Sequence, residues 1–130
     1  MRHSGHVAIV DDDASTRVAL ARLLRVHGID SRGYPSARAF LAALPSAMPY
    51  CLIVDVNMPG KTGLDLQLEL LKLGVHIPTI VITAVEDESA AEAAASLGAA
   101  AFLTKPLDHD LLIGAINLMA AINVVAKKPN

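Results

Sequence analysis

Four short apolar runs and one weaker run of mixed polarity divide this chain, and a stretch with helical periodicity follows each of them. We predict strands over residues 7–10, 29–34, 51–55, 77–83 and 99–104. We predict helices from Ala14 onward and over residues 36–44, 63–73, 87–97 and 108–125. Strands that alternate with helices favour a parallel sheet covered on both faces. Right-handed crossovers and this count of strands favour a three-layer, doubly wound α/β fold.

The composition limits both the architecture and the classes of function. The 130 residues suffice for one domain, 1–130, with a core over about 7–125 and frayed ends. A net charge of −2 without any Lys/Arg run argues against direct nucleic-acid binding. The single cysteine cannot form an internal disulfide, the first six residues lack a signal-peptide core, and residues 111–126 are too short to span a membrane. We therefore expect a cytoplasmic protein without a membrane contact.

Polar residues follow four of the five predicted strands. Asp11 and Asp12 come after the first strand, Asp55 ends the third, Thr83 ends the fourth and Lys105 follows the fifth. Parallel strands share one carboxyl edge, which is where open α/β folds bind ligands. In the flavodoxin-like strand order 2-1-3-4-5 the first and third strands are neighbours, so the three acids would lie side by side.

These residue types suit phosphate chemistry. Three clustered carboxylates repel one another and need a counter-ion, and oxygen ligands suit a hard cation such as Mg²⁺. Such a cation can hold a phosphate and neutralise charge that develops during phosphoryl transfer to a carboxylate. The hydroxyl of Thr83 can hydrogen-bond a phosphate oxygen, and the ammonium of Lys105 can pair with it as a point charge.

The same residues resemble the receiver domain of two-component response regulators. The resemblance runs from about residue 7 to residue 125 and rests on Asp11-Asp12, Asp55, Met58-Pro59-Gly60, Gly63, Thr83-Ala84 and Lys105-Pro106. It implies that Asp55 accepts a phosphoryl group from a phosphohistidine on a sensor histidine kinase or a phosphotransfer protein. The chain would then be a signalling switch that assists its own phosphorylation and dephosphorylation, and not a turnover enzyme.

The resemblance also assigns a metal site and a switch. It implies that Mg²⁺ (or Mn²⁺) binds to Asp12, Asp55 and the backbone carbonyl of Asn57, and to Asp11 through water. Thr83 and Lys105 would grip the phosphoryl group, and the Lys105–Pro106 peptide bond would be cis. Phe102 matches the family's switch aromatic, and the alternative to that role is an ordinary core residue.

Two alternative functions stay open. One is a pseudo-receiver that binds a partner without phosphorylation, against which the complete set of acids, Thr83 and Lys105 argues. The other is an Asp-nucleophile phosphohydrolase of the haloacid dehalogenase type, in which a second Asp usually stands two positions after the nucleophile. Position 57 is Asn in this chain, which makes that enzyme class a poor match. A dinucleotide-binding domain is excluded because no G-x-G-x-x-G follows the first strand.

Other residues carry structural predictions. Asp13 suits a helix N-cap, Gly28 a helix end, and Cys51 an inert core position. The third helix carries Leu64, Leu68 and Leu71 at helical spacing. The five histidines lack any metal-ligand spacing, so we expect all of them to be solvated: His3, His6, His27, His76 and His109.

The last predicted helix is more apolar than a helix with one covered face needs. Excess apolar surface usually marks an interface. We therefore expect the fifth strand and its two flanking helices to form a contact, most simply a homodimer. The same helix and the short basic tail after it favour a linker to a C-terminal output domain that would follow residue 130.

Overall fold

The computed structural model describes residues 5–84 and 88–127, with side chains as far as Ile122. Strands and helices alternate five times. The strands are β1 (Val7–Val10), β2 (Ser31–Tyr34), β3 (Cys51–Asp55), β4 (Thr79–Thr83) and β5 (Ala101–Thr104). The helices are α1 (Ala14–Val26), α2 (Ala37–Ala43), α3 (Gly63–Lys72), α4 (Glu88–Ser96) and α5 (His109–Lys127).

All four strand pairings are parallel, and the sheet has the order β2-β1-β3-β4-β5. The predicted doubly wound fold and strand order are confirmed. Three strands begin two residues later than predicted, because the residues before them belong to the end of a helix or to a loop. Ile29 and Ala99, for example, donate their N–H groups to Leu24 and Ala94, the last-turn carbonyls of α1 and α4.

Aliphatic side chains fill both faces of the sheet. Every residue of β1, β3 and β4 is buried, whereas the edge strands β2 and β5 are partly exposed. One core cluster joins α1 and α5 to the sheet, and the other joins α2, α3 and α4 to the opposite face. Burial on both faces explains why the three central strands are continuous aliphatic runs. None of the helices in the described part of the chain is long and apolar enough to cross a membrane.

Local capping agrees with the sequence in several places. The carboxylate of Asp13 accepts the N–H of Ser15 as the N-cap of α1, which confirms that prediction. Gly28 lies just beyond α1 with a φ of 73°, a conformation that favours glycine. Thr62 and Asp65 form a capping box at the start of α3, which fixes where the chain turns back after β3.

One prediction about burial is wrong, and the leucine spacing noted in α3 does not mark the face of that helix that is buried. The face of α3 that packs inward carries Leu66, Gln67 and Leu70, while Leu68 and Leu71 are 42% and 46% exposed. Six of the eleven residues from 63 to 73 are leucine, so several faces of this helix are apolar. The spacing of the leucines alone therefore does not identify the face that is buried. His6 is buried rather than solvated, since it directly precedes the fully buried β1. His3 lies outside the described residues.

Candidate functional site

Two carboxylates lie next to each other at the carboxyl edge of the sheet. Asp55 is the last residue of β3, and Asp11 directly follows β1. Val10 pairs with Val54, so the chain delivers both acids to the same point of adjacent strands. Both residues are buried, with exposed fractions of 4% for Asp11 and 7% for Asp55, whereas Asp12 is exposed. The edge therefore holds a buried acid pair with a third carboxylate on its solvent side.

Each buried carboxylate is anchored by its own loop. Oδ1 of Asp11 accepts the N–H of Asp13 at 2.9 Å, and Oδ1 of Asp55 accepts the N–H of Asn57 at 2.8 Å. Both contacts reach two residues forward, the geometry of an Asx turn. Since one oxygen of each acid holds the local backbone, the orientation of both carboxylates is fixed.

The second oxygen of Asp55 pairs with a cation from the far side of β4. The Lys105 Nζ donates to Oδ2 of Asp55 at 3.0 Å, and the Lys105 backbone N–H donates to the carbonyl of Thr83 at 2.8 Å. Burial acts to lower the pKa of Lys105, but the hydrogen bond to Asp55 and the charges of Asp55 and Asp11 outweigh it and raise that pKa. Lys105 is therefore a fixed positive charge at neutral pH. Its peptide bond to Pro106 is cis.

Thr83 and Phe102 belong to β4 and β5, the two strands that follow β3 toward the outer side of the sheet. Thr83 ends β4 and is 1% exposed, and it lies one position beyond Ile82, the residue that pairs with Asp55. Phe102 lies on β5 opposite Val81 and packs, partly buried, against the core cluster of α2, α3 and α4. Thr83 is thus at the same edge as Asp55, and Phe102 lies on the strand that leads to Lys105.

The charges at this edge are not balanced. Burial is the largest cause of a raised pKa at Asp11, and the negative charges of Asp55 and Asp12 act in the same direction. The N–H of Asp13 and the ammonium of Lys105 lower that pKa but do not outweigh those effects. A second cation at this edge would remove the repulsion.

This donor set fits a divalent cation that keeps part of its hydration shell. Among the residues that the structure describes, no three His, Cys, Asp or Glu side chains already form a closed metal cage. Mg²⁺ does not need one, because it commonly binds through one or two carboxylates together with waters and phosphate oxygens. Two buried, mutually repelling carboxylates beside an exposed third one meet that requirement.

Two residues that shape the site were not predicted from the sequence. The Arg17 guanidinium donates from Nη1 to the backbone carbonyl of Asp11 at 2.6 Å, and its stem lies against Gly33 of β2. Gly63 packs so closely on the end of β3 that a Cβ there would lie 2.5 Å from the carbonyl oxygen of Asp55. Gly63 belongs to the motifs that carry the family resemblance, but these motifs assign it no role. No sequence pattern predicts that an arginine such as Arg17 will bind a backbone carbonyl.

Five parallel strands in this order define a doubly wound α/β domain, and the buried acid pair and the lysine lie at the carboxyl edge where such domains bind ligands. The chain belongs to the response regulator receiver domain family, whose model matches residues 7–117. It is therefore a module of two-component signalling. Phosphorylation of an aspartate is the general mode of action of that family, and its members generally bind Mg²⁺ at the acidic site and interact with histidine kinases or phosphotransfer proteins.

Individual relatives agree with this assignment. Transcriptional regulatory protein FixJ of Azorhizobium caulinodans is 41% identical over 116 residues, which cover 89% of this chain and 55% of that protein. Response regulator protein TmoT of Ectopseudomonas mendocina is 42% identical over 110 residues, which cover 85% and 50%. The crystal structure of FixJ-N matches with a TM-score of 0.85 at 36% identity and covers 91% of this chain and 94% of that one. The chain spans about half the length of the curated relatives it matches.

Proposed function

We propose that this chain is a phosphorylation switch whose acceptor is Asp55. The observation that carries the proposal is the contact between Oδ2 of Asp55 and the Lys105 ammonium, made beside the buried carboxylate of Asp11. The carboxylate is held in place by the N–H of Asn57 and lies at the end of a rigid strand. A phosphoryl group that reaches Oδ2 would meet a cation at the position where its own charge develops.

The reaction is a transfer from nitrogen to oxygen. A carboxylate oxygen of Asp55 attacks the phosphorus of a phosphohistidine on a sensor kinase or phosphotransfer protein. The P–N bond breaks and its electron pair stays with the imidazole, which takes up a proton from solvent. The product is an acyl phosphate on Asp55. Hydrolysis of that acyl phosphate by water returns the carboxylate and releases inorganic phosphate. The chain would assist both steps as a signalling switch and not as a turnover enzyme.

Lys105 and Thr83 are the proposed phosphoryl-binding residues. The ammonium of Lys105 already lies 3.0 Å from Oδ2 and would follow the phosphoryl oxygens, which carry the larger charge. The Thr83 hydroxyl would donate to another of these oxygens. Since Thr83 and Lys105 are joined by a backbone hydrogen bond, their movement would reach β5 and Phe102 together. This coupling supports the proposed switch role of Phe102.

The same edge would hold the metal ion. Asp11, Asp12, Asp55 and the backbone carbonyl of Asn57 are the proposed groups around Mg²⁺ or Mn²⁺. When bound, the ion supplies neutralisation of the phosphate oxygens during transfer. Burial is the largest cause of the raised pKa of Asp11, and the negative charges of Asp55 and Asp12 add to it. A bound cation would offset the part that comes from these charges, which supports the assignment.

The partner surfaces are proposed from exposed apolar residues. On α5, Leu111, Leu118 and Ile122 are 61%, 58% and 50% exposed. Together with β5 and α4 they form the face that we propose for a homodimer.

The relative FixJ is a transcriptional regulatory protein, and we infer that phosphorylation of this chain controls an output region of that kind. The single buried cysteine supports a reducing, cytoplasmic location.

Phosphate incorporation tests the assignment of Asp55. The wild type, Asp55→Asn and Asp110→Asn would be incubated with acetyl phosphate and Mg²⁺ and then resolved on a phosphate-affinity gel. Asp110 is an exposed acid in the first turn of α5 and serves as the matched control. We expect labelling of the wild type and Asp110→Asn, loss with EDTA, and none in Asp55→Asn. Equal labelling of all three proteins would refute the acceptor role. A wild type that takes label from neither acetyl phosphate nor a kinase would favour the pseudo-receiver.

A further inference from the structure

A cavity of about 460 Å³ lies at the edge of the sheet opposite Asp55. It is lined by residues of α1, by residues just before β1 and β2, and by the first residues of β2, among them His6, Arg25, Asp30 and Arg32. The strands are parallel, so these amino ends are separated from the acid pair by the length of the sheet. A ligand at this edge would therefore contact none of the residues proposed for phosphorylation.

His6 is the first indication of a ligand. Its side chain lines the cavity, its exposed fraction is 9%, and its Nε2 has no hydrogen-bond partner among the residues that the structure describes. A buried ring nitrogen without a partner is unfavourable, and in folded proteins such atoms are nearly always satisfied by a protein group, a water or a bound molecule.

The charges on the same cavity indicate what kind of ligand fits. Arg25 and Arg32 both line it, and neither takes part in the ion pairs formed within residues 5–84 and 88–122. Both side chains are exposed. The carboxylate of Asp30 is the negative charge on the same wall. Burial and the charge of Arg32 lower the pKa of His6, while Asp30 opposes them, so the ring is neutral at pH 7 and carries one N–H.

We propose that this cavity binds the oxyanion of a small molecule, either a phosphate or a carboxylate group. The guanidinium groups of Arg25 and Arg32 would pair with its oxygens, and the ring of His6, whose Nε2 is buried, would have to turn to donate its N–H to it. Guanidinium groups suit such oxygens because several donors lie in one plane. The volume is within the range of about 300–1,000 Å³ that is typical of small-molecule sites. The proposal does not depend on the acceptor role of Asp55.

Solution NMR provides the test. Inorganic phosphate and citrate would each be titrated into the ¹⁵N-labelled protein without Mg²⁺, with NaCl added to hold the ionic strength constant. We expect saturable shifts centred on Arg32 and on the ring nitrogens of His6. The probe with the lower Kd identifies the preferred oxyanion. Arg25→Gln and Arg32→Gln should each weaken binding by about fivefold or more, since each removes a charge-assisted contact. Both residues are exposed, so these variants should fold.

Arg22→Gln is the matched control, because Arg22 is another exposed arginine of α1 that does not line the cavity. We expect it to leave the Kd unchanged. Three results would overturn the proposal: neither probe saturates, Arg22→Gln weakens binding as much as Arg32→Gln does, or the shifts centre on Asp55 and Lys105 instead. The second result would indicate diffuse attraction to a basic surface, and the third would place the anion at the opposite edge.

Discussion

Gly63 offers a sharp test of how the site is built. It is the first residue of α3, and its N–H donates to the carbonyl of Val56 at 3.1 Å, which closes the loop between β3 and α3. A Cβ at this position would lie 2.5 Å from the Asp55 carbonyl oxygen, 3.0 Å from its carbonyl carbon and 3.1 Å from the Val56 Cα. All three atoms are backbone, so no change of side-chain rotamer relieves the contact.

The cost of Gly63→Ala follows from this geometry. The contact to the Asp55 oxygen must open by about 0.5 Å to reach the 3.0 Å below which real Cβ contacts essentially never fall. The movement must come from the end of β3 or from the whole start of α3. Overpacking of this kind costs about 1–3 kcal/mol. Since glycine at a first helical position gains little from replacement by alanine, we expect a net loss near 2 kcal/mol, about a third of the stability of a marginal domain.

The matched control is Gly114→Ala in the second turn of α5, where an added Cβ meets no atom within 4 Å. That change should stabilise the protein by about 0.5–1 kcal/mol, because alanine is the better helix former. Urea unfolding followed by circular dichroism measures both effects. With a slope of about 1–3 kcal/mol per molar, the two variants should differ in midpoint by roughly 1 M or more.

Gly63→Ala should also slow phosphorylation. Displacing the backbone of Asp55 moves its carboxylate relative to Lys105, and a misplacement approaching 1 Å costs up to about 10²-fold in rate. Two results together would refute this reasoning: the free energy of unfolding of Gly63→Ala lies within about 0.5 kcal/mol of the wild-type value, and the variant is phosphorylated by acetyl phosphate at the wild-type rate. The close packing of Gly63 on β3 would then have no consequence.

Three further predictions concern other parts of the molecule. Asp11→Asn should stabilise the Mg²⁺-free protein at pH 7. The raised pKa of Asp11 means that its charge opposes folding, so the gain should vanish below the unfolded-state pKa and grow as pH rises through the folded-state pKa. Urea unfolding at pH 3 to 7 checks this, and a gain independent of pH would contradict it. Cys51 is fully buried, and burial raises its pKa to about 12. Iodoacetamide at pH 8 should therefore modify it only after unfolding, and rapid alkylation of the native protein would show otherwise. Leu118→Glu should weaken dimerisation of the phosphorylated protein in sedimentation while changing the unfolding free energy by less than about 0.5 kcal/mol. A wild type that stays monomeric when phosphorylated would count against the dimer face.

The fold was predictable from the sequence because most of its signals are local and redundant. Aliphatic runs such as Cys51–Asp55 can only be covered on both faces, and the alternation of strands and helices then leaves few topologies. The meeting of Asp11 with Asp55 followed from the shared carboxyl edge, so no knowledge of side chains was needed.

The features that escaped prediction depend on distant contacts. Leucine-rich α3 has several apolar stripes, and only its packing against the sheet and α4, where the Gln67 side chain donates to the carbonyl of Ala94, selects one of them. The burial of His6 depends on what surrounds the amino end of β1. The bond from Arg17 to the Asp11 carbonyl and the close approach of Gly63 to β3 are products of the folded backbone.

The pair between Lys105 and Asp55 has a mechanical consequence for the sheet. Lys105 extends from the edge strand β5, which is hydrogen-bonded to β4 alone, and its side chain reaches across β4 to the central strand β3. At its carboxyl end the outermost strand is thus tied to the centre of the sheet by one ion pair as well as by its single ladder. Any reaction that draws the ammonium away from Oδ2 removes one of the contacts that hold the carboxyl end of that strand in place. An event at Asp55, on the central strand, would therefore act directly on an edge strand of the sheet.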